Sequence, residues 1–154
     1  MPTPRVVLDT NTVMALWLFD DPRLHALKQA LARKQLQPVC RSDALDELRC
    51  VLAYPQFALD AGRQSTLLEA YAETCDWTGT SPPEPLPRCR DADDQKFLEI
   101  ALCGRARWLV SRDKALLKLA RHRLVRAQFS ILTPEALCLQ LAQDRAPATT
   151  HRDD

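Results

Sequence analysis

Hydrophobic residues along this chain fall into two kinds of pattern, which alternate from one end to the other. Short continuous apolar runs favour buried strands. Longer segments with an apolar residue every three or four positions favour helices. Strands that alternate with helices predict an α/β fold, in a three-layer α/β/α arrangement with a mainly parallel central sheet. The predicted strands are residues 5–9, 37–41, 106–111 and 128–132, and the predicted helices are residues 10–19, 21–35, 42–54, 59–75, 90–102, 112–123 and 133–142.

The length of 154 residues suits one domain. Residues 78–94 carry four prolines between Pro82 and Pro87 and are predicted to form an extended loop. Residues 143–154 have few apolar side chains and are predicted to be disordered. We therefore expect a single domain over residues 1–142, followed by a disordered tail.

No segment resembles a secretory signal peptide or a membrane span. The longest apolar run, from Val13 to Phe19, is far shorter than the ~20 residues that a transmembrane helix needs. The six cysteines form no CxxC pair and have no zinc-binding spacing with histidine. These features predict a reduced cytoplasmic protein without a membrane partner.

Positive charge is concentrated in one part of the chain, although the net charge is only +1. Between Arg88 and Arg126 there are eleven Lys or Arg residues and five Asp or Glu residues. Such a segment would attract a polyanion such as a nucleic acid. The alternative interpretation is a solvated basic helix face without a specific ligand.

The stretch "RDADDQKFLEIAL" (residues 90–102) places a carboxylate at the head of an apolar helix face. Asp94, Phe97, Leu98 and Ala101 follow the spacing of one side of a helix, the side expected to face the core. An unpaired carboxylate beside a core is costly. Asp94 therefore either caps the helix or meets a cation.

Three further acids are expected near Asp94. Asp9 ends one predicted strand and Asp113 closely follows another, and the carboxyl ends of parallel strands meet at the edge of the sheet where ligands bind. Glu47 lies in the middle of a predicted helix, beside its apolar stripe. Four clustered carboxylates repel one another unless a cation is present, and Mg²⁺ and Mn²⁺ prefer oxygen ligands. The pattern predicts one or two such ions, with a metal-bound water as nucleophile.

Each acid also has a purely structural interpretation. Asp9 and Asp113 precede helices and are good N-cap residues. Asp91 and Asp93 would stabilise a helix start through its dipole. Glu47 would pair with Arg49 or with a lysine on a solvated face. These alternatives remain open at the level of the residues alone.

Four motifs, taken in order, resemble a known family. "VVLDTN", "SDALDELRCVL", "DADDQKFLEIAL" and "WLVSRDKALLKL" are similar to the motifs of PIN-domain proteins, and more narrowly to the VapC-like toxins of toxin–antitoxin systems. Each motif is short and degenerate, but their shared order and spacing are fairly specific. The resemblance covers residues 6–139, which is nearly the whole chain.

The resemblance implies a PIN-like fold and a Mg²⁺- or Mn²⁺-dependent endoribonuclease that hydrolyses single-stranded RNA. It also implies a cognate antitoxin protein as partner and a homodimer.

Arg112 departs from the subgroup, which commonly has glycine at this position. Its guanidinium would either bind a phosphate or pair with an acid and partly occlude the site. The implied catalytic and metal-binding residues are Asp9, Glu47, Asp94 and Asp113, with Asp91 as a further ligand, and the implied orienting or substrate-binding residues are Asn11, Ser111, Arg112 and Lys114.

Two other functions are compatible with the sequence. The first is a non-catalytic PIN-like module that holds RNA or a partner protein. The second is an α/β phosphatase with Asp9 as nucleophile. Asn11 speaks against the phosphatase, because it stands where that chemistry needs a second acid.

Overall fold

A computed structural model describes residues 2–79 and 84–145 of the chain. Five strands form one sheet in the order β3-β2-β1-β4-β5, and every neighbouring pair is parallel. Helices connect the strands, as parallel pairing requires. The strands are β1 (Arg5–Leu8), β2 (Gln37–Cys40), β3 (Asp76–Trp77), β4 (Trp108–Val110) and β5 (Ser130–Leu132).

Eight α-helices lie within the described residues, and they cover the sheet to give the three-layer α/β/α fold predicted from the sequence. Single 3₁₀ turns at Pro22–Leu24, Pro55–Phe57 and Ala92–Asp94 join some of these elements. No helix in the described ranges is long and apolar enough to cross a membrane. The helices are α1 (Thr10–Trp17), α2 (His25–Ala32), α3 (Ser42–Leu52), α4 (Ala61–Thr74), α5 (Gln95–Cys103), α6 (Lys114–Leu117), α7 (Arg123–Arg126) and α8 (Pro134–Arg145).

The two central strands form the middle of the core. All three residues of β4 and the last three of β1 are buried, because helices cover both faces of the sheet. Leu8 pairs with Val110, and Val110 pairs with Leu132, so three neighbouring strands end at the same level. The residues that follow β1 and β4 therefore emerge side by side at one edge.

The structure differs from the predicted elements at β3 and beyond β4. Strand β3 has only two residues, both exposed, and was not predicted because so short a strand carries no alternating pattern. The single helix predicted over residues 112–123 is instead the four-residue helix α6 followed by turns. His122 has an extended backbone, and its Nδ1 accepts a hydrogen bond from the Leu124 amide, which starts the separate helix α7.

The last helix runs past its predicted end. Thr133 Oγ1 accepts a hydrogen bond from the Ala136 amide at 3.1 Å and so caps the start of the helix. Helix α8 continues to Arg145, three residues into the segment predicted to be a disordered tail. Gln and Arg are good helix formers, and residues of these types at 143 and 145 favour continuation of the helix. Residues 146–154 lie outside the described residues.

Candidate metal centre

Three carboxylates meet at the edge of the sheet where β1 and β4 end. Asp91, Asp94 and Asp113 each offer an oxygen, and these three oxygens lie within 4.8 Å of one another. Asp91 and Asp94 belong to the 3₁₀ turn before α5, and Asp113 directly precedes α6. We refer to these three residues as the acidic cluster.

Asp113 is held in place by its own turn. Its carboxylate accepts a hydrogen bond from the Ala115 amide at 2.7 Å and so caps α6. Its amide donates to Ser111 Oγ at 2.9 Å. Because capping engages only Oδ1, the predicted capping role and a metal-binding role are compatible at this residue.

Asp91 can likewise cap a turn and bind a metal ion. Its Oδ1 accepts a hydrogen bond from the Asp93 amide at 3.0 Å and caps the 3₁₀ turn. The Asp91 carbonyl also accepts from the Asp94 amide at 3.0 Å, which closes the turn. Asp91 and Asp94 are three residues apart, which is one full 3₁₀ turn, so their carboxylates face the same point, where Asp113 also lies.

Asp94 differs from these two acids because its side chain caps no helix. Its Oδ2 is buried and is the single buried side-chain nitrogen or oxygen without a hydrogen-bond partner in residues 2–79 and 84–145. Burial, followed by the proximity of Asp113 and the charges of Asp91 and Asp9, raises the pKa of Asp94 to about 7. The capping alternative for Asp94 is thus not what the structure contains, and a cation would satisfy the unpartnered oxygen.

Asp9 lies beside the acidic cluster but has its own set of donors. It is 5% exposed and caps α1 by accepting hydrogen bonds from the Thr12 amide at 3.0 Å and Thr12 Oγ1 at 2.6 Å. Its other oxygen accepts from the fully buried Ser111 Oγ at 2.5 Å. Burial raises the pKa of Asp9, although these hydrogen bonds oppose the shift. Ser111 therefore links Asp9 to the amide of Asp113 through one hydroxyl group.

Glu47 is not part of the acidic cluster. It lies on α3 and pairs with Lys96 of α5, with 2.5 Å between Glu47 Oε1 and Lys96 Nζ. Pairing with a lysine was one of the alternatives for this acid. The arrangement leaves Asp91, rather than Glu47, as the third carboxylate of the cluster.

The remaining predicted residues surround the cluster in different ways. Asn11 is exposed in the first turn of α1, and Lys114 is exposed at the start of α6. Arg112 pairs with Glu135 of α8 at 2.5 Å and lies 3.5 Å from Asp21. Of its two proposed roles, the structure contains the pairing with acids.

Lys96 is not among the candidate residues that the sequence motifs indicate. A lysine in the first turn of a helix is unfavourable, because the positive end of the helix dipole repels its ammonium group. A lysine at this unfavourable position is the sequence feature that could have identified Lys96. The feature is hard to see because Lys96 lies in the segment from Arg88 to Arg126, which is rich in basic residues throughout.

The donor set fits a hard divalent cation. Carboxylate oxygens from two short turns, one that carries Asp91 and Asp94 and one that carries Asp113, suit Mg²⁺ or Mn²⁺, which complete their shells with water or phosphate oxygens. The unpartnered Asp94 oxygen supports the same interpretation, because a buried polar atom normally has a partner. Asp91, Asp94 and Asp113 are the residues that would hold the ion.

Comparison with known proteins agrees with the fold. A family model described as PIN domain matches residues 5–115, which include β1 to β4 and all three residues of the acidic cluster. No curated protein matches the chain. PIN domains are generally metal-dependent nucleases that act on RNA. The match covers well over half of the sequence, and the chain belongs to the PIN domain family.

Proposed function

We propose that this protein is an endoribonuclease that hydrolyses single-stranded RNA with a divalent metal ion held by Asp91, Asp94 and Asp113. The observation that carries the proposal is the buried, unpartnered Oδ2 of Asp94 within a cluster of three carboxylates. A purely structural carboxylate in that position would lack both a hydrogen bond and a counter-charge. A bound cation supplies what is missing.

A bound Mg²⁺ or Mn²⁺ ion would lower the pKa of a water molecule and stabilise charge on the scissile phosphate. The protein's own residues hold the ligands in place. Ser111 Oγ accepts a hydrogen bond from the Asp113 amide and donates one to Asp9. The negative charge of Asp9 adds to the negative potential at the acidic cluster. Asn11, exposed close to Asp9 in the chain, is proposed to orient a ligand or water.

The proposed RNA contacts come from Arg112 and Lys114, which flank Asp113. Lys114 is exposed and free to approach a phosphate as a point charge. Arg112 is engaged by Glu135 and Asp21, so a phosphate would have to compete with two carboxylates for its guanidinium. We therefore assign Lys114 the simpler role and Arg112 a role that depends on release from Glu135.

The finer biological assignment rests on the motif resemblance. We propose that the enzyme is the toxin of a toxin–antitoxin pair, acts in the cytoplasm as a homodimer and is held inactive by an antitoxin protein. Expression in a bacterial host should arrest growth, whereas Asp94→Asn should not. Growth that continues with the soluble wild-type protein would contradict the toxin role and leave the nuclease chemistry to be judged separately.

The nuclease is tested by incubating wild type and Asp94→Asn with mixed single-stranded RNA in Mg²⁺, Mn²⁺ or EDTA and separating the products on a gel. Cleavage by wild type in metal alone is the expected result. RNA that is bound but intact in every lane would favour the non-catalytic module. The phosphatase alternative is weaker, because both oxygens of the buried Asp9 already accept hydrogen bonds.

A further inference from the structure

Lys96 occupies an unusual place for a lysine. It is the second residue of α5 and its side chain is only 15% exposed, so its ammonium group lies near the positive end of the helix dipole. Its Nζ contacts Glu47 Oε1 at 2.5 Å and donates to the Asp93 carbonyl oxygen. The same Nζ lies 5.1 Å from the centre of the Phe97 ring. These contacts fix a positive charge two residues after Asp94.

The ammonium group occupies the position that a cation bound to Glu47 would need. A divalent ion on the same carboxylate would stand within a few ångströms of Lys96 and be repelled by it. Glu47 is thus neutralised by a protein side chain, whereas no ion pair within the described residues includes a member of the acidic cluster. The fold therefore supplies a counter-charge to Glu47 but none to the acidic cluster within the described residues.

We propose that this site works with one divalent cation, at the acidic cluster, and that the Lys96 ammonium group replaces a second cation beside Glu47. The inference rests on the proposed nuclease function. An ammonium group has three N–H donors, and Glu47 and the Asp93 carbonyl use two in the part of the chain that the structure describes. The third is available to a phosphate oxygen of the RNA, and Glu47 positions the group.

The test counts bound Mn²⁺ by electron paramagnetic resonance and by calorimetry. Wild type should bind one Mn²⁺ ion, and Lys96→Met should bind two, because it frees Glu47. Lys96→Arg should keep one. The matched control is Arg49→Met, which frees Asp46, another carboxylate of α3 paired at 2.6 Å, and should also leave one ion.

Two Mn²⁺ ions in wild type would overturn the proposal, as would one in a folded Lys96→Met variant. Cleavage of RNA would persist in either case, so the nuclease function would stand while this inference failed. Absence of both Mn²⁺ binding and cleavage in wild type would overturn both.

A second variant keeps the test decisive if Lys96→Met does not fold. Glu47→Gln should leave the Mn²⁺ dissociation constant within about twofold of wild type, because Glu47 is not a ligand in this proposal. Asp94→Asn should abolish binding under the same conditions. A loss of more than tenfold in affinity for Glu47→Gln would make Glu47 a metal ligand and overturn the proposal.

Discussion

The substitution Asp94→Asn should stabilise the metal-free protein, although it should abolish activity. The pKa of Asp94 is raised from 3.8 to about 7, and about three pKa units correspond to an upper limit of about 4 kcal/mol. The Asp94 carboxyl is only half buried, so solvent screening reduces this free energy. Part of the pKa shift also depends on the neighbouring Asp113. We expect a gain of about 1–2 kcal/mol in the free energy of unfolding at pH 8.

The sign of the pH dependence follows from the direction of the shift. Near pH 4 and below, Asp94 is largely protonated in the folded protein, so the variant and wild type should have similar stability. Between about pH 4 and pH 7 the Asp94 carboxyl is ionised in the unfolded chain but largely protonated in the folded protein, so wild type loses stability as the pH rises. The difference should therefore grow across this range and level off above pH 7.

The assay is urea unfolding of both proteins in EDTA at pH 4.5, 6 and 8. The matched control is Asp93→Asn, because Asp93 lies in the same 3₁₀ turn but is exposed and outside the acidic cluster. This control should change stability by less than about 0.5 kcal/mol. An Asp94→Asn variant that is no more stable than wild type at pH 8 would refute the electrostatic reasoning.

Three further outcomes are expected. Mn²⁺ at 100 times its dissociation constant should stabilise wild type by about 2.7 kcal/mol in thermal unfolding but leave Asp94→Asn unchanged; equal stabilisation would contradict the ligand role. Ser111→Ala should weaken Mn²⁺ affinity about tenfold in calorimetry, because Asp9 and Asp113 lose their shared hydroxyl; unchanged affinity would dismiss that link. Glu135→Gln should tighten RNA binding severalfold in fluorescence anisotropy by releasing Arg112, whereas Asp144→Asn, an equal charge change on α8, should have a smaller effect.

The layout of the sheet was predictable from the sequence because β1 and β4 are continuous apolar runs. Such runs identify strands buried on both faces, and parallel pairing then brings their carboxyl ends to one edge. Asp9 and Asp113 were placed at that edge by this argument alone, and the structure has them there.

Side-chain direction was not predictable to the same degree. Helical spacing predicted Asp94 on an inward face, but it did not reveal that Asp91 would turn toward Asp113 as well. That depends on a 3₁₀ turn, whose period differs from that of an α-helix. The partner of Glu47 was also undetermined, because a pair between α3 and α5 depends on how two helices pack.

We propose above that hydrolysis of RNA requires a divalent metal ion held by Asp91, Asp94 and Asp113. The measurement that tests it most directly is the initial rate of cleavage of a fluorescent single-stranded RNA in Mn²⁺, for wild type, Asp94→Asn and Asp93→Asn purified in the same way. We expect Asp94→Asn to be slower than wild type by more than about 100-fold and Asp93→Asn to stay within about threefold of it. Equal rates for wild type and Asp94→Asn would contradict it.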